Sequence, residues 1–126
     1  MAESPVPRRI LIADDDTRLV DLLREFLIPR GFEIQIATNG KEALAQASTG
    51  SFDLVLLDVM MPLQDGYHVA AEIHASMGTR APKILLMTAR DARSERHFAD
   101  LTGAVGILQK PFLLDELVAL LSQHCP

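Results

Sequence analysis

Acidic, hydroxyl and ammonium side chains stand where apolar runs of this chain stop. The segment ILIADDDTRL carries four apolar residues, 10–13, straight into Asp14, Asp15 and Asp16. A second run, 54–57, ends in Asp58; a third, 84–87, in Thr88; a fourth, 105–108, in Gln109 and Lys110. If these runs are neighbouring strands, Asp14, Asp15 and Asp58 share one rim, where they repel each other and raise one another's pKa unless a positive charge sits among them. A hard divalent cation meets that need: Mg²⁺ takes oxygen ligands and keeps several waters, so one or two carboxylates with a carbonyl and a phosphate oxygen satisfy it. A cation site gains nothing from an added ammonium and hydroxyl. Lys110 and Thr88 suit instead the charge on a transferring phosphoryl group. A carboxylate that attacks phosphorus gives an aspartyl phosphate, and Asp58 would be the acceptor.

The elements that must position these groups follow from periodicity. The four runs, with a weaker alternating one at 33–37, have strand length, and segments of helical period lie between them. Leu19, Leu22, Leu23, Phe26 and Leu27 share one face of a first helix, which Pro29 and Gly31 end. Ala43, Leu44 and Ala47 mark a second helix, Val69, Ile73 and Met77 a third, and Leu114, Leu117, Val118 and Leu121 a fifth. The fourth, over 92–102, offers only Phe98 and Leu101 as apolar anchors and is expected to be the most loosely held. Strands apolar on both faces, alternating strictly with helices, call for a parallel sheet covered on each side. The expected fold class is α/β, a doubly wound (βα)5 flavodoxin-like sandwich with a five-stranded parallel sheet in the order 2-1-3-4-5. In such a sheet the ligand crevice lies outside the carboxyl ends of the strands. The second strand, ending in the neutral Thr38-Asn39-Gly40, is then the edge away from it.

At 126 residues and 48% hydrophobic content the chain can bury the core of one domain. Residues 1–8 are expected as an N-terminal extension and 9–126 as a single domain. The formal charge is −5, and the densest basic group, Arg90, Arg93 and Arg96, is interrupted by Asp91 and Glu95, which argues against direct nucleic-acid binding. No apolar run reaches signal or membrane-spanning length, so no membrane partner is expected and a cytoplasmic location is. The single cysteine, Cys125, has no disulfide partner and no metal-ligand spacing, and is read as an incidental terminal residue. His68, His74, His97 and His124 lack zinc-site spacing and are read as surface residues.

In chain order, ILIADDD, GFEIQIATNGKEAL, DLVLLDVMMPLQDG, LLMTA and ILQKPF resemble the receiver domain of two-component response regulators, a likeness running from about residue 9 to 121. The resemblance implies that Asp58 accepts a phosphoryl group from a sensor histidine kinase or a histidine phosphotransfer protein. Mg²⁺ is the implied cofactor, with Mn²⁺ as a substitute, and the domain is implied to be a signalling phosphoacceptor rather than a metabolic enzyme. Asp15 would ligate the metal directly with Asp58, Asp14 would act through its water shell, and the backbone carbonyl of Met60 would complete the set. Lys110 would bridge toward the phosphoryl oxygens and Thr88 would hydrogen-bond one of them. Pro62 and Gly66 would shape the loop after the acceptor, and the Lys110–Pro111 peptide would be cis. Adding roughly −1.5 to −2 units of charge would bias the face of helix four, strand five and helix five toward a downstream output protein or domain, or toward a phosphorylation-dependent dimer.

Asp16 and Thr17 read more plainly as caps of the first helix. Where the family usually has Tyr or Phe, three residues before Lys110, this chain has Ile107, stiff at χ1 and without ring or hydroxyl. The usual threonine-to-aromatic readout is unavailable in that form, and helix four becomes the expected moving part. Met60 and Arg90 lie two residues after Asp58 and Thr88; with Ala89 and Ile107 they are expected to modulate the switch, Met60 and Arg90 by shielding the acyl phosphate from water.

Rival readings fit less well. A haloacid-dehalogenase-like phosphatase needs Asp-x-Asp-x-Thr/Val, but from Asp14 the last position is Arg18, and from Asp15 the second acid is Thr17. A flavodoxin-like binding module would set a flavin phosphate against an acidic loop. An unphosphorylated interaction module with the receiver fold would have no use for Asp14, Asp15, Asp58, Thr88 and Lys110 together.

Overall fold

The computed structural model describes residues 8–125. Its elements alternate as the sequence requires: β1 (Arg8–Ala13), α1 (Thr17–Leu27), β2 (Phe32–Ala37), α2 (Gly40–Thr49), β3 (Leu54–Asp58), α3 (Gly66–Met77), β4 (Lys83–Thr88), α4 (Ala92–Leu101), β5 (Gly106–Gln109) and α5 (Leu114–His124). The five strands pair in parallel in the order β2-β1-β3-β4-β5, the doubly wound arrangement that the alternation predicts. Arg8, assigned by sequence to the extension, opens β1 opposite Phe32; residues 1–7 lie outside the described residues.

Strand pleating divides the interior in two. Leu11, Ala13, Val55, Leu57, Ile84 and Leu86 point to one side and meet Ala43, Ala47, Val69, Ile73 and Ala99 of α2, α3 and α4. Ile10, Ile12, Leu54, Leu56, Leu85 and Met87 point to the other and meet Val20, Leu23, Leu27, Leu117 and Leu121 of α1 and α5. Every residue of β3 is buried, as its place in the middle of the sheet demands. β2, at the edge, alternates instead between half-buried and exposed positions until Ala37. No helix among the described residues is long and apolar enough to cross a membrane.

The structure corrects two helix faces, those of α1 and α4. On α1 the buried residues are Val20, Leu23 and Leu27, whereas Leu22 is half-exposed, because 3.6-residue geometry carries it about 120° from the centre of the stripe. On α4 the expected anchors are outside: Phe98 is 52% and Leu101 71% exposed, while Glu95 and Ala99 face inward. The helix is rotated so that the short side chain of Ala99 meets the core and the charged one of Glu95 meets Tyr67 of α3. Asp16 caps α1 by accepting from the Arg18 and Leu19 N–H groups; Thr17 is simply the first helical residue. Cys125 is buried, not incidental, and closes the α1–α5 core beside a cavity lined by Leu27, Phe32, Val118 and Leu121 at the amino ends of the strands. His74 is half-buried, its ring filling the space that Gly103 leaves open, and His124 is half-buried too; His68 and His97 are exposed.

The rotation of α4 has a measurable consequence. Leu101→Ser is expected to change unfolding free energy by less than about 0.5 kcal/mol, because the residue is 71% exposed and belongs to neither core. Leu117→Ala, in the core, is expected to cost about 2–4 kcal/mol. Urea unfolding of both variants checks this, and a Leu101→Ser cost matching that of Leu117→Ala would contradict the assigned face.

Candidate functional site

Register builds the site. Ala13 of β1 lies opposite Leu57 of β3, so Asp14 follows level with Asp58. Asp58 lies opposite Met87, which sets Thr88 one residue further out, and Thr88 lies opposite Gln109, which sets Lys110 one residue beyond that. Bonds from the Asp14 N–H to the Ala37 carbonyl (3.1 Å), from Val59 to Met87 (2.8 Å) and from Lys110 to Thr88 (2.7 Å) hold these strand ends after the strands have stopped.

The loop after Asp58 is pressed against it by Gly66. A Cβ at Gly66 would meet the Asp58 carbonyl oxygen and the Val59 Cα, and the Gly66 N–H donates to the Val59 carbonyl at 2.8 Å. Only a residue without a side chain permits that approach. The Pro62 carbonyl accepts from the Gly40 N–H at 3.3 Å, tying the same loop to the start of α2. The Lys110–Pro111 peptide is cis, as the family resemblance implies.

Asp14, Asp15 and Asp58 each bring a carboxylate oxygen within 4.8 Å of the others; Asp14 and Asp58 are buried and Asp15 is exposed. Lys110 Nζ lies 2.7 Å from Asp14 Oδ2 and 3.4 Å from Asp58 Oδ1. Asp14 Oδ1 accepts from the Asp16 N–H at 3.0 Å, so both Asp14 oxygens are already engaged. Burial, and then the charge of Asp14, raise the Asp58 pKa from 3.8 to about 6, although Lys110 and the Met60 N–H pull the other way. Burial by itself would lower the Lys110 pKa, but its hydrogen bond to Asp14 and the charges of both acids outweigh that and raise it. The ammonium is held protonated between two carboxylates, one more negative charge than it can balance. Three convergent carboxylates of this kind are oxygen donors suited to a divalent cation.

The remaining residues singled out from the sequence fall around this centre. Thr88 is fully buried, and its hydroxyl accepts from the Arg90 N–H at 3.0 Å. Met60 is 56% exposed and shares a concavity with Val59, Asp65, Tyr67, His68 and Arg90. Ala89 is exposed, and Ile107 is half-buried against the core beneath α2, α3 and α4. Sequence reasoning passed over Tyr67 and Glu95, which share a hydrogen bond of 2.9 Å. The available signal was the spacing of Glu95 and Ala99, four residues apart and hence on one helix face.

Known proteins match this arrangement. A family model described as the response regulator receiver domain covers residues 10–122. Response regulator MprA of Mycolicibacterium vanbaalenii is 43% identical over 114 residues, which are 90% of this chain and 48% of that protein. A response regulator, TrrA, of Thermotoga maritima, solved in complex with Mg²⁺ and BeF, is 38% identical with a TM-score of 0.79, over 92% of this chain and 97% of that one. A CheY-like receiver domain protein of Methanospirillum hungatei superposes with a TM-score of 0.85 at 27% identity, over 94% and 93% of the two chains. The chain belongs to the receiver domain family of two-component response regulators. It spans about half the length of the curated relatives it matches.

The raised Asp58 pKa fixes a pH dependence. Below 3.8 folded and unfolded chains both hold the proton; between 3.8 and about 6 the unfolded chain has lost it and the folded one has not; above about 6 the folded domain carries the full cost of the charge. Ionised Asp58 therefore destabilises the metal-free domain at neutral pH by about 1–3 kcal/mol. Asp58→Asn is expected to raise the urea midpoint at pH 7.5 in chelator, by an amount that shrinks as pH falls toward 4.5. No gain at pH 7.5 would contradict the electrostatics described.

Proposed function

We propose that this domain takes a phosphoryl group onto the carboxylate of Asp58 from a phosphohistidine of a sensor kinase or phosphotransfer protein, and later yields it to water. In the first step the phosphorus–nitrogen bond of the donor breaks as a bond to an Asp58 oxygen forms; in the second, water cleaves the acyl phosphate and restores the carboxylate. The observation that carries this reading is the Lys110 ammonium set between Asp14 and Asp58, at 2.7 and 3.4 Å, in a site where three carboxylates converge.

Each role follows from chemistry at a named atom. Lys110 is positioned to follow charge from the Asp58 carboxylate onto the phosphoryl oxygens, being already within reach of Asp58. Thr88, at the next strand end, supplies a hydroxyl. Asp14, with both oxygens occupied, orients Lys110 and meets a metal through water, which leaves direct coordination to Asp15, Asp58 and the Met60 carbonyl. Mg²⁺, or Mn²⁺ in its place, would neutralise the acids and polarise the phosphoryl group. The similarity to a regulator solved with Mg²⁺ and BeF supports that assignment. Met60 and Arg90, beside the acceptor, shield the acyl phosphate and lengthen its life, and Ala89 leaves the turn after Thr88 uncrowded. The domain acts as a switch rather than a metabolic enzyme, in the cytoplasm, and passes its state to an output protein or domain, with phosphorylation-dependent dimerisation as one route.

Intact-mass analysis after incubation with acetyl phosphate and Mg²⁺ tests the proposal. One phosphoryl adduct is expected, absent with chelator and absent in Asp58→Asn. An adduct that survives the substitution, or maps to residues 14–16, would overturn the assignment.

A further inference from the structure

The inward face of α4 carries a charged residue. Glu95 is only 6% exposed, and Ala99 is its one buried companion on that helix. Its Oε1 accepts from the Tyr67 hydroxyl on α3 at 2.9 Å and lies 3.8 Å from Nη1 of Arg90. The Tyr67 hydroxyl is pushed up to about 12 by burial and then by that bond, so it stays a donor at any ordinary pH. Its ring lies 5.9 Å from that of Phe98, which ties α3 to α4 a second time. Arg90 is the single cation paired with Glu95 among the described residues, and its side chain is 62% exposed. The same residue donates its N–H to the Thr88 hydroxyl and shares a concavity with Met60 beside the acceptor. One exposed guanidinium thus stands between the phosphoryl-acceptor rim and a buried carboxylate under α4.

We propose that Glu95 and Tyr67 are positioning residues that hold Arg90 and make it the link between the Asp58 phosphoryl group and α4. The inference rests on Asp58 being the acceptor. In the resting domain Arg90 balances the buried Glu95. A phosphoryl group on Asp58 adds a stronger, doubly charged partner for a guanidinium on a long side chain. The two anions compete for one cation. As Arg90 turns to the phosphoryl oxygens, Glu95 keeps only the Tyr67 hydroxyl, and a buried carboxylate deprived of its cation is strongly unfavourable. α4 gives way because its other apolar anchors are few: Leu101 is outside, Phe98 is half-exposed and touches Tyr67 rather than the core, and Ala99 buries little surface. Ile107, with no hydroxyl to exchange partners, need not take part.

Competition gives the test a sign that structural damage does not share. The probe is beryllofluoride with Mg²⁺, followed by amide NMR in wild type, Arg90→Ala, Glu95→Gln and the double variant. Glu95→Gln keeps an acceptor for Tyr67 but no charge for Arg90, so it is expected to bind the probe several-fold more tightly than wild type, and the gain is expected to vanish in the Arg90→Ala background. In Arg90→Ala the amides of residues 92–102 are expected to lie, without probe, already displaced in the direction the probe drives them in wild type, with less than half the wild-type response remaining. Arg90→Lys is expected to restore part of that response. Arg90 is exposed, so its variants decide the matter should Glu95→Gln fail to fold. Unchanged or weaker probe affinity in a folded Glu95→Gln, or a full α4 response in Arg90→Ala with normal binding at the amides around Asp58, would overturn the link alone. No response around Asp58 in wild type would overturn the acceptor assignment and the link together.

Discussion

Two buried carboxylates, Asp14 and Asp58, share one partly buried ammonium, and the rest of the domain is arranged around that imbalance. Lys110 touches Asp14 more closely than Asp58, at 2.7 against 3.4 Å, so Asp58 is the less fully compensated acid. Burial and its neighbour then hold Asp58 near 6 rather than 3.8. Such a carboxylate gains when a cation arrives. The cost is borne by two cores of aliphatic residues on either side of a sheet whose central strand is buried throughout.

Position within that pocket is a matter of strand register. Asp58 and Thr88 end β3 and β4, while Asp14 and Lys110 directly follow β1 and β5; all four reach one rim because the strands are parallel and in register to within single residues, and a slip of one position would turn each of them to another face. Gly66 adds a second constraint, since the loop carrying Met60 and Pro62 packs directly on the Asp58 backbone. Asp58 is thereby fixed from both sides. α4 is the opposite case, anchored by Glu95 and Ala99 and capped by Asp91, whose carboxylate accepts from the Arg93 N–H at 3.0 Å.

This contrast explains what could be read from the chain. Polar residues closing apolar strands identify the rim, because strand ends are marked by composition and parallel topology brings them together. Asp14, Asp15, Asp58, Thr88 and Lys110 were therefore legible, as were strand order and the alternation of elements. Helix faces were less so. Hydrophobicity placed Phe98 and Leu101 inside, but a helix with few apolar residues is oriented by polar contacts, here the bonds of Glu95 to Tyr67 and Arg90, which a one-dimensional pattern does not carry. Leu22 and Cys125 show the same limit from opposite directions: the first has the right residue type on the wrong arc, and the second is buried because α5 returns it to the α1 side of the sheet.

The most direct measurement of the central claim is a carboxyl-carbon NMR titration of Asp58, with and without Mg²⁺. The account predicts a midpoint near 6 in the metal-free domain, moving downward as Mg²⁺ is added. A midpoint near the ordinary 3.8, indifferent to Mg²⁺, would contradict it.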